Sequence, residues 1–248
     1  MSGHSKWANI KRKKAANDKV KGATFAKLSR IITLAVVEGG GLPDPNHNFK
    51  LRLAIDKARS YNMPRDNIQR AIDRASGPEK NQLKEVIYEG FAPYGVALLL
   101  QATTDNANRT VNEIKNHLEK HGGKLGSQGS VSYIFRKCGL IIFEKLQSEE
   151  DTIFAFAEAM DAIDIDTVES SYYVYIPFEF FGKINNHLGS LKPHVTEIDY
   201  KPTNLVSVAT HEQVKQILSL VDSLEALDDV HKVFSNLEIP DSLEFSTE

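Results

Sequence analysis

Near residue 80 the spacing of apolar residues changes, and that change constrains the fold more than any other feature of the chain. Residues 1–23, with only Ile10 and Val20 to anchor a core, read as a basic arm or a surface helix; from Thr24 to that point apolar residues recur three and four apart, as one face of a helix requires. Phe25, Leu28, Ile32 and Ala35 keep this spacing, with Ile31 and Leu34 widening the stripe. Thr24 is the predicted N-cap, and Gly39-Gly40-Gly41 followed by Pro43 is the stop. A second helix is predicted near Asn48–Tyr61, burying Leu51, Ala54, Ile55 and Ala58. A third begins at Asn62-Met63-Pro64 and buries Ile68, Ala71, Ile72 and Ala75. Pro64 suits the first turn, where its missing N–H costs nothing. Ser76-Gly77-Pro78 is a stop and a linker. Short helices of this kind make a small bundle.

Beyond residue 80 the apolar runs have strand length. Val86–Glu89 and Val96–Thr103 read as strands around a Pro93-Tyr94-Gly95 turn. Asp105–His121 reads as a helix with Val111, Ile114 and Leu118 on one face, and a glycine-rich loop, Gly122–Gly129, leads to a strand at Val131–Phe135. Residues 139–200 spell β-α-β-β-α-β, the order of a ferredoxin-like split βαβ unit. Its strands are Leu140–Glu144, Ile165–Ser170, Tyr172–Ile176 and Val195–Tyr200; its helices are Glu149–Met160 and Phe178–Leu188. A strand at Leu205–Val208, a helix at Glu212–Leu227 and a strand at Val230–Phe234 are too few to form a sheet alone. They are expected to complete the sheet begun by residues 86–135. The predicted fold is therefore an α+β multidomain protein. A basic N-terminal helical bundle (1–78) precedes a discontinuous α+β domain (79–136 plus 202–240), which carries an inserted ferredoxin-like domain (137–201). The tail Pro240–Glu248 is expected to fray.

Charge divides the chain at nearly the same place. The formal net charge is −3, but residues 1–77 hold sixteen basic and six acidic residues, a balance of +10, which leaves −13 for the rest. Such a split points to a basic module for a polyanion. Lys6, Lys11, Arg12, Lys13, Lys14, Lys19, Lys21, Lys27 and Arg30 face one acid, Asp18, within thirty residues. Phosphates set most of the affinity for nucleic acid, because cations that neutralise them release counterions. Trp7 stands among these charges, where an indole either stacks on an unpaired base or packs on the bundle. The third helix adds Arg65, Arg70 and Arg74 with Asn67 and Gln69, side chains that read base edges in a major groove or simply solvate a helix face.

Other chemistries find little support. Gly122-Gly123-Lys124-Leu125-Gly126-Ser127-Gln128-Gly129 lacks the spacing of a phosphate-binding loop and precedes a strand. His117 and His121 have ligand spacing, but Leu118 stands where a zinc hydrolase has its glutamate, so solvent-facing histidines are expected. Asp164-Ile165-Asp166 lacks the glycine and terminal glutamate of a calcium loop. The cluster Asp105–Thr110 reads as a helix cap. Cys138, the single cysteine, has no evident base partner and fits a reducing compartment. No catalytic residue, metal site, cofactor or small-molecule substrate is assigned. No apolar stretch has membrane length and the N-terminus lacks the apolar core of a secretory signal. A cytoplasmic monomer is expected.

Several longer motifs resemble those of the YebC/PmpR family. They are Gly3-His4-Ser5-Lys6-Trp7-Ala8-Asn9-Ile10-Lys11, Leu51-Arg52-Leu53-Ala54-Ile55-Asp56-Lys57-Ala58, Asn62-Met63-Pro64-Arg65-Asp66-Asn67-Ile68 and Thr104-Asp105-Asn106-Ala107-Asn108-Arg109-Thr110. Gly122-Gly123-Lys124-Leu125-Gly126 and Asp228-Asp229-Val230 also fit, whereas Ala92-Pro93-Tyr94-Gly95 departs from a more glycine-rich turn. The resemblance implies the same three-domain layout and a DNA-binding transcriptional regulator. Mitochondrial relatives in that family resemble translational activators, which implies the alternative, a factor that binds ribosomal RNA or tRNA on the ribosome. An extended basic arm with a tryptophan suits irregular RNA.

Overall fold

The computed structural model describes residues 9, 21–75, 77, 83–168 and 170–240. The chain divides into two compact units. One holds Asp18–Ser132 and His211–Ser235; the other holds Tyr133–Thr210 with the two chain ends, Met1–Asn17 and Asn236–Glu248.

In the first unit, helices α1 (Lys21–Glu38), α2 (Phe49–Ser60) and α3 (Arg65–Arg74) close on one apolar core. Leu28, Ile32 and Ala35 of α1 meet Leu51, Ala54, Ile55 and Ala58 of α2 and Ile68, Ala71 and Ile72 of α3. Helix α1 is already helical at Lys21, so Thr24 lies inside it instead of capping it. Threonine is tolerated within a helix, and its capping preference does not stop one that continues upstream. Asn48 is the cap of α2: its Oδ1 accepts the Leu51 N–H at 3.0 Å, and its Nδ2 donates to the Ala35 carbonyl at 2.8 Å. The end of α1 is a left-handed turn at Gly40 (φ 74°), with Gly41 N–H donating to Val36 O and Gly40 N–H to Val37 O. Helix α2 ends the same way at Asn62 (φ 57°), where the sequence offered no glycine.

The same unit contains a sheet ordered β3-β1-β2-β9: β1 (Lys84–Phe91), β2 (Ala97–Thr104), β3 (Lys124–Leu125) and β9 (Val230–Ser235). Helix α4 (Ala107–Lys120) packs on β1 and on α7 (His211–Glu225), and α7 packs on β9. Strand β9 returns from the far end of the chain to pair antiparallel with β2, Leu98 opposite Ser235, as the sequence reading expected. Helix α1 also touches β2. Two expectations fail at the edges. Val131–Phe135 is not a strand: Ser132–Ile134 is a 3-10 turn. The buried Glu89 carboxylate accepts the N–H groups of Gly129 (2.7 Å), Val131 (2.6 Å) and Ser132 (2.9 Å), removing them from any ladder. The second failure is Leu205–Val208. Here β8 (Val206–Ser207) belongs to the other unit, where it pairs in parallel with β10 (Leu237–Glu238), and β9 holds the place beside β2.

The second unit is built on β4 (Phe135–Glu144), α5 (Glu150–Ala159), β5 (Asp164–Val168), β6 (Ser171–Pro177) and β7 (Val195–Pro202). The sheet order is β5-β6-β4-β7 with every neighbouring pair antiparallel, so each β-α-β pair straddles a strand of the other. This is the split arrangement that the element order predicted. Phe143 meets Phe156 of α5 edge-on at 5.4 Å, which places α5 on the Ile141–Phe143 face. The second predicted helix is mostly a 3-10 segment, Phe178–Lys183, followed by the short α6 (Ile184–His187). Phe178 and Phe181 stack at 6.4 Å, the three-residue spacing a 3-10 turn eclipses. Gly139 leaves the space that Phe181 fills: a Cβ there would lie 2.2 Å from its ring.

Candidate nucleic-acid interface

Lys6, Trp7, Lys11, Arg12, Lys13, Lys14 and Lys19 lie outside the described residues, and so does the side chain of Lys21 at the start of α1. The remaining predicted residues fall on two helices: Lys27 and Arg30 on α1, and Arg65, Arg70 and Arg74 on α3.

Helix α3 buries Ile68, Ala71 and Ile72 and turns its charged residues outward. Arg70 donates to Asp66 O at 3.2 Å and to Asn67 Oδ1 at 3.0 Å, bonds within its own helix that leave the guanidinium in solvent. Arg70 and Arg74 sit one turn apart and face α1. With Arg30, Asn67, Ser29 and Phe25 they line a groove of about 380 Å³ that has no carboxylate among the described residues of its lining. The groove joins three guanidiniums with an amide, a hydroxyl and an aromatic edge. Arg65 opens α3 and Lys27, between Ala26 and Ser29, is on another face of α1; neither lines it.

Arg30 belongs to a second constellation as well. It forms an ion pair with Asp229, whose carboxylate also accepts from Arg109 at 2.8 Å and from the Thr110 hydroxyl at 2.6 Å. Arg109 is held in turn by Asp105 at 2.7 Å. Asp229 is 2% exposed. Burial pushes its pKa up, but the bonds from Thr110 and Arg109 and the charges of Arg109 and Arg30 outweigh it and hold the carboxyl below its ordinary value. Lys27 donates to the Glu225 carbonyl at the end of α7, and burial draws its pKa down against the pull of Glu225 and Asp228. Next to this cluster, burial and the cations Lys57, Lys27 and Arg30 push the His231 imidazole down to about 3, so it is neutral. Neither ring nitrogen has a hydrogen-bond partner among the described residues.

Asn106 caps α4 by accepting the Arg109 N–H at 3.1 Å, as the cap reading of Asp105–Thr110 expected. The same segment also supplies Arg109 and Thr110 to Asp229, a role sequence reasoning missed. Both halves are motifs visible in the sequence, but nothing in the chain links positions 120 residues apart. His121 and His117 are half-buried, not solvent-facing: the His121 ring bonds the His117 carbonyl at 2.8 Å. Cys138 is buried in the second unit with Sγ 3.6 Å from Asp199 O. Among the described residues no group of His, Cys, Asp and Glu could hold a metal, and no helix is long and apolar enough to cross a membrane.

Comparison with known proteins covers nearly the whole chain. A family model described as the N-terminal domain of TACO1/YebC proteins matches residues 5–78, and one described as the TACO1/YebC second and third domain matches residues 83–237. A "probable transcriptional regulatory protein" of Halothermothrix orenii is 43% identical, with 98% of this chain and 97% of that protein aligned. A protein of the same name from Borreliella burgdorferi is 44% identical over 98% of this chain and all of the relative. Among solved structures, a conserved hypothetical protein of Aquifex aeolicus superposes with a TM-score of 0.81 at 38% identity, over 90% of this chain and 93% of that one.

Proposed function

This chain belongs to the TACO1/YebC family, and from that premise we propose that it is a non-enzymatic, nucleic-acid-binding regulator of gene expression. The observation that carries the reading is the segregation of charge, +10 in residues 1–77 against −13 in the remainder. In the primary form of the proposal it is a DNA-binding transcriptional regulator, as the names of its relatives suggest. The arm residues Lys6–Lys21 neutralise phosphates, Trp7 stacks on a base or packs on the bundle, and the exposed arginines of α3 extend the contact. Arg30 and Lys27 contribute mainly field, since their heads are engaged by Asp229 and by the Glu225 carbonyl. We place the domain boundaries at 1–78, at 79–136 with 202–240, and at 137–201, in a cytoplasmic monomer.

A second form, a translation factor bound to ribosomal RNA or tRNA, is favoured by a different observation. Residues 137–201 hold five basic and twelve acidic residues. A surface of that sign is repelled by a long bare duplex, whose phosphates lie close on every side. Crosslinking in cells with sequencing of both DNA and RNA tests the two forms. Crosslinks at discrete promoters support the first, and crosslinks at ribosomal RNA or tRNA support the second. Crosslinks to neither would sink the proposal. Changing Lys11, Arg12, Lys13 and Lys14 together to Ala should also lower the slope of log affinity against log salt, by roughly 0.7–0.9 for each phosphate that is no longer neutralised.

A further inference from the structure

The sheet β5-β6-β4-β7 has a second face, opposite α5, whose composition is unusual. Register places Asp199 opposite Cys138 and Glu197 opposite Leu140, with Tyr175 on the other side of Leu140. Asp164 and Asp166 stand opposite Tyr175 and Tyr173. Directly paired antiparallel residues point to the same side, so four carboxylates share this face with two tyrosines and the apolar residues of β4. Among the described residues the cations of the face are Lys201, 2.7 Å from Asp164 and 3.3 Å from Asp166, and Arg136 opposite it at the sheet's end.

The middle of the face is closed to water, while Asp164 and Glu197 at its edges are part-exposed. Leu140 and Tyr175 are 0% exposed, Tyr173 2%, Asp199 4% and Asp166 8%. Carboxylates in such a place require cations or hydrogen-bond donors close by. One contact reaches this face from the N-terminal part of the chain: the Tyr173 hydroxyl donates to Asn9 Oδ1 at 3.3 Å. Asn9 stands immediately before Ile10-Lys11-Arg12-Lys13-Lys14. Five residues reach up to about 17 Å, and four adjacent strands span about 14 Å.

We propose that the acidic face of this sheet is a docking surface for the chain's own basic segment, residues 10–17, in competition with nucleic acid. Asn9 on Tyr173 sets the segment down on the face, and the carboxylates of β5 and β7 hold its lysines and arginine. The same cations serve phosphates when nucleic acid arrives, so binding begins with exchange of one set of anions for another. The competition rests on the reading that the arm contacts nucleic acid; the docking does not.

The test uses the full chain and two conservative variants. Tyr173→Phe removes the hydroxyl that holds Asn9 and keeps the ring. Glu197→Gln removes one half-buried charge. Trypsin cleavage within residues 11–21 is timed at low salt on folded protein, checked by circular dichroism. Affinity for a short DNA duplex and for a single-stranded RNA is measured beside it. Both variants should be cut about two- to fivefold faster than the parent, the effect of one ion pair or hydrogen bond of this kind. They should bind nucleic acid tighter by a similar factor. Cleavage at the parent rate in both variants overturns the docking. Faster cleavage with unchanged affinity for both nucleic acids keeps the docking and overturns the arm's role in binding.

Discussion

Arginine does opposite work in two neighbouring parts of the first unit. On α3, Arg70 bonds only within its own helix, and Arg70 and Arg74 turn their guanidiniums to solvent along a carboxylate-free groove. At the start of β9, Arg30 and Arg109 converge on Asp229, a carboxylate that is 2% exposed. The side chain is the same; the position of the counter-ion decides whether it faces solvent or closes the fold. A run of basic residues in a sequence therefore overstates the binding surface by as many cations as the fold itself neutralises.

The largest test of this contrast is Asp229→Ala. It leaves two arginines and the Thr110 hydroxyl around an empty position; breaking a fully buried pair costs about 3–5 kcal/mol, and with the two guanidiniums 35% and 42% exposed the loss should lie toward the low end. Urea unfolding of the variant should show that drop in stability, whereas a drop below about 1 kcal/mol, the range of exposed ion pairs, would mean the cluster is a surface feature. Because the folded-state pKa of Asp229 is depressed, its contribution is present above the unfolded value near 3.8 and disappears as pH falls through the folded value. The acid limb of the stability curve should flatten in the variant.

His231 sharpens the comparison from the other side. Its folded pKa is lowered from 6.5 to about 3, so the unfolded chain binds the proton first and stability falls as pH drops below 6.5. That one group should remove roughly 2–3 kcal/mol between its ordinary pKa and about pH 4. In His231→Leu this part of the pH dependence should vanish; a profile parallel to the parent's would show that the ring reaches water. The smallest stability effect belongs to Arg70→Ala with Arg74→Ala. Exposed substitutions of this kind stay within about 0.5 kcal/mol, yet the salt slope for nucleic acid should fall by roughly 0.7–0.9 for each phosphate left without its arginine. A large fall in stability with an unchanged slope would invert the assignment of the two arginine groups.

What could be read from the sequence was local. The core positions Leu51, Ala54, Ile55, Ala58, Ile68, Ala71 and Ile72 follow from spacing alone, because the stripe each set forms is fixed by the period of its own helix. The strand order of the second unit followed from its element order, since a split βαβ arrangement leaves few alternatives. The two misread strands share one cause, competition by a distant group. Glu89 takes the amides of Val131 and Ser132 from some forty residues away, and β9 takes the place beside β2. On α3, the exposure of Arg65, Arg70 and Arg74 follows from the apolar stripe, which fixes the opposite face. The engagement of Arg30 by Asp229, 199 positions away, leaves no trace in spacing or composition.

Strand β2 has a consequence for how the chain is made. Leu98, Leu99 and Leu100 are wholly or almost wholly buried, and one flank of that strand pairs with β9. The bundle helices and β1 leave the ribosome before or with β2, but β9 follows roughly 130 residues later, some 7–26 s at ordinary rates of synthesis. For that interval the nascent chain carries an apolar strand with an open edge, the kind of template on which other chains add. Slow elongation through residues 136–229 lengthens the exposure, so yield of soluble protein should depend on the speed of translation across that stretch more than across the bundle.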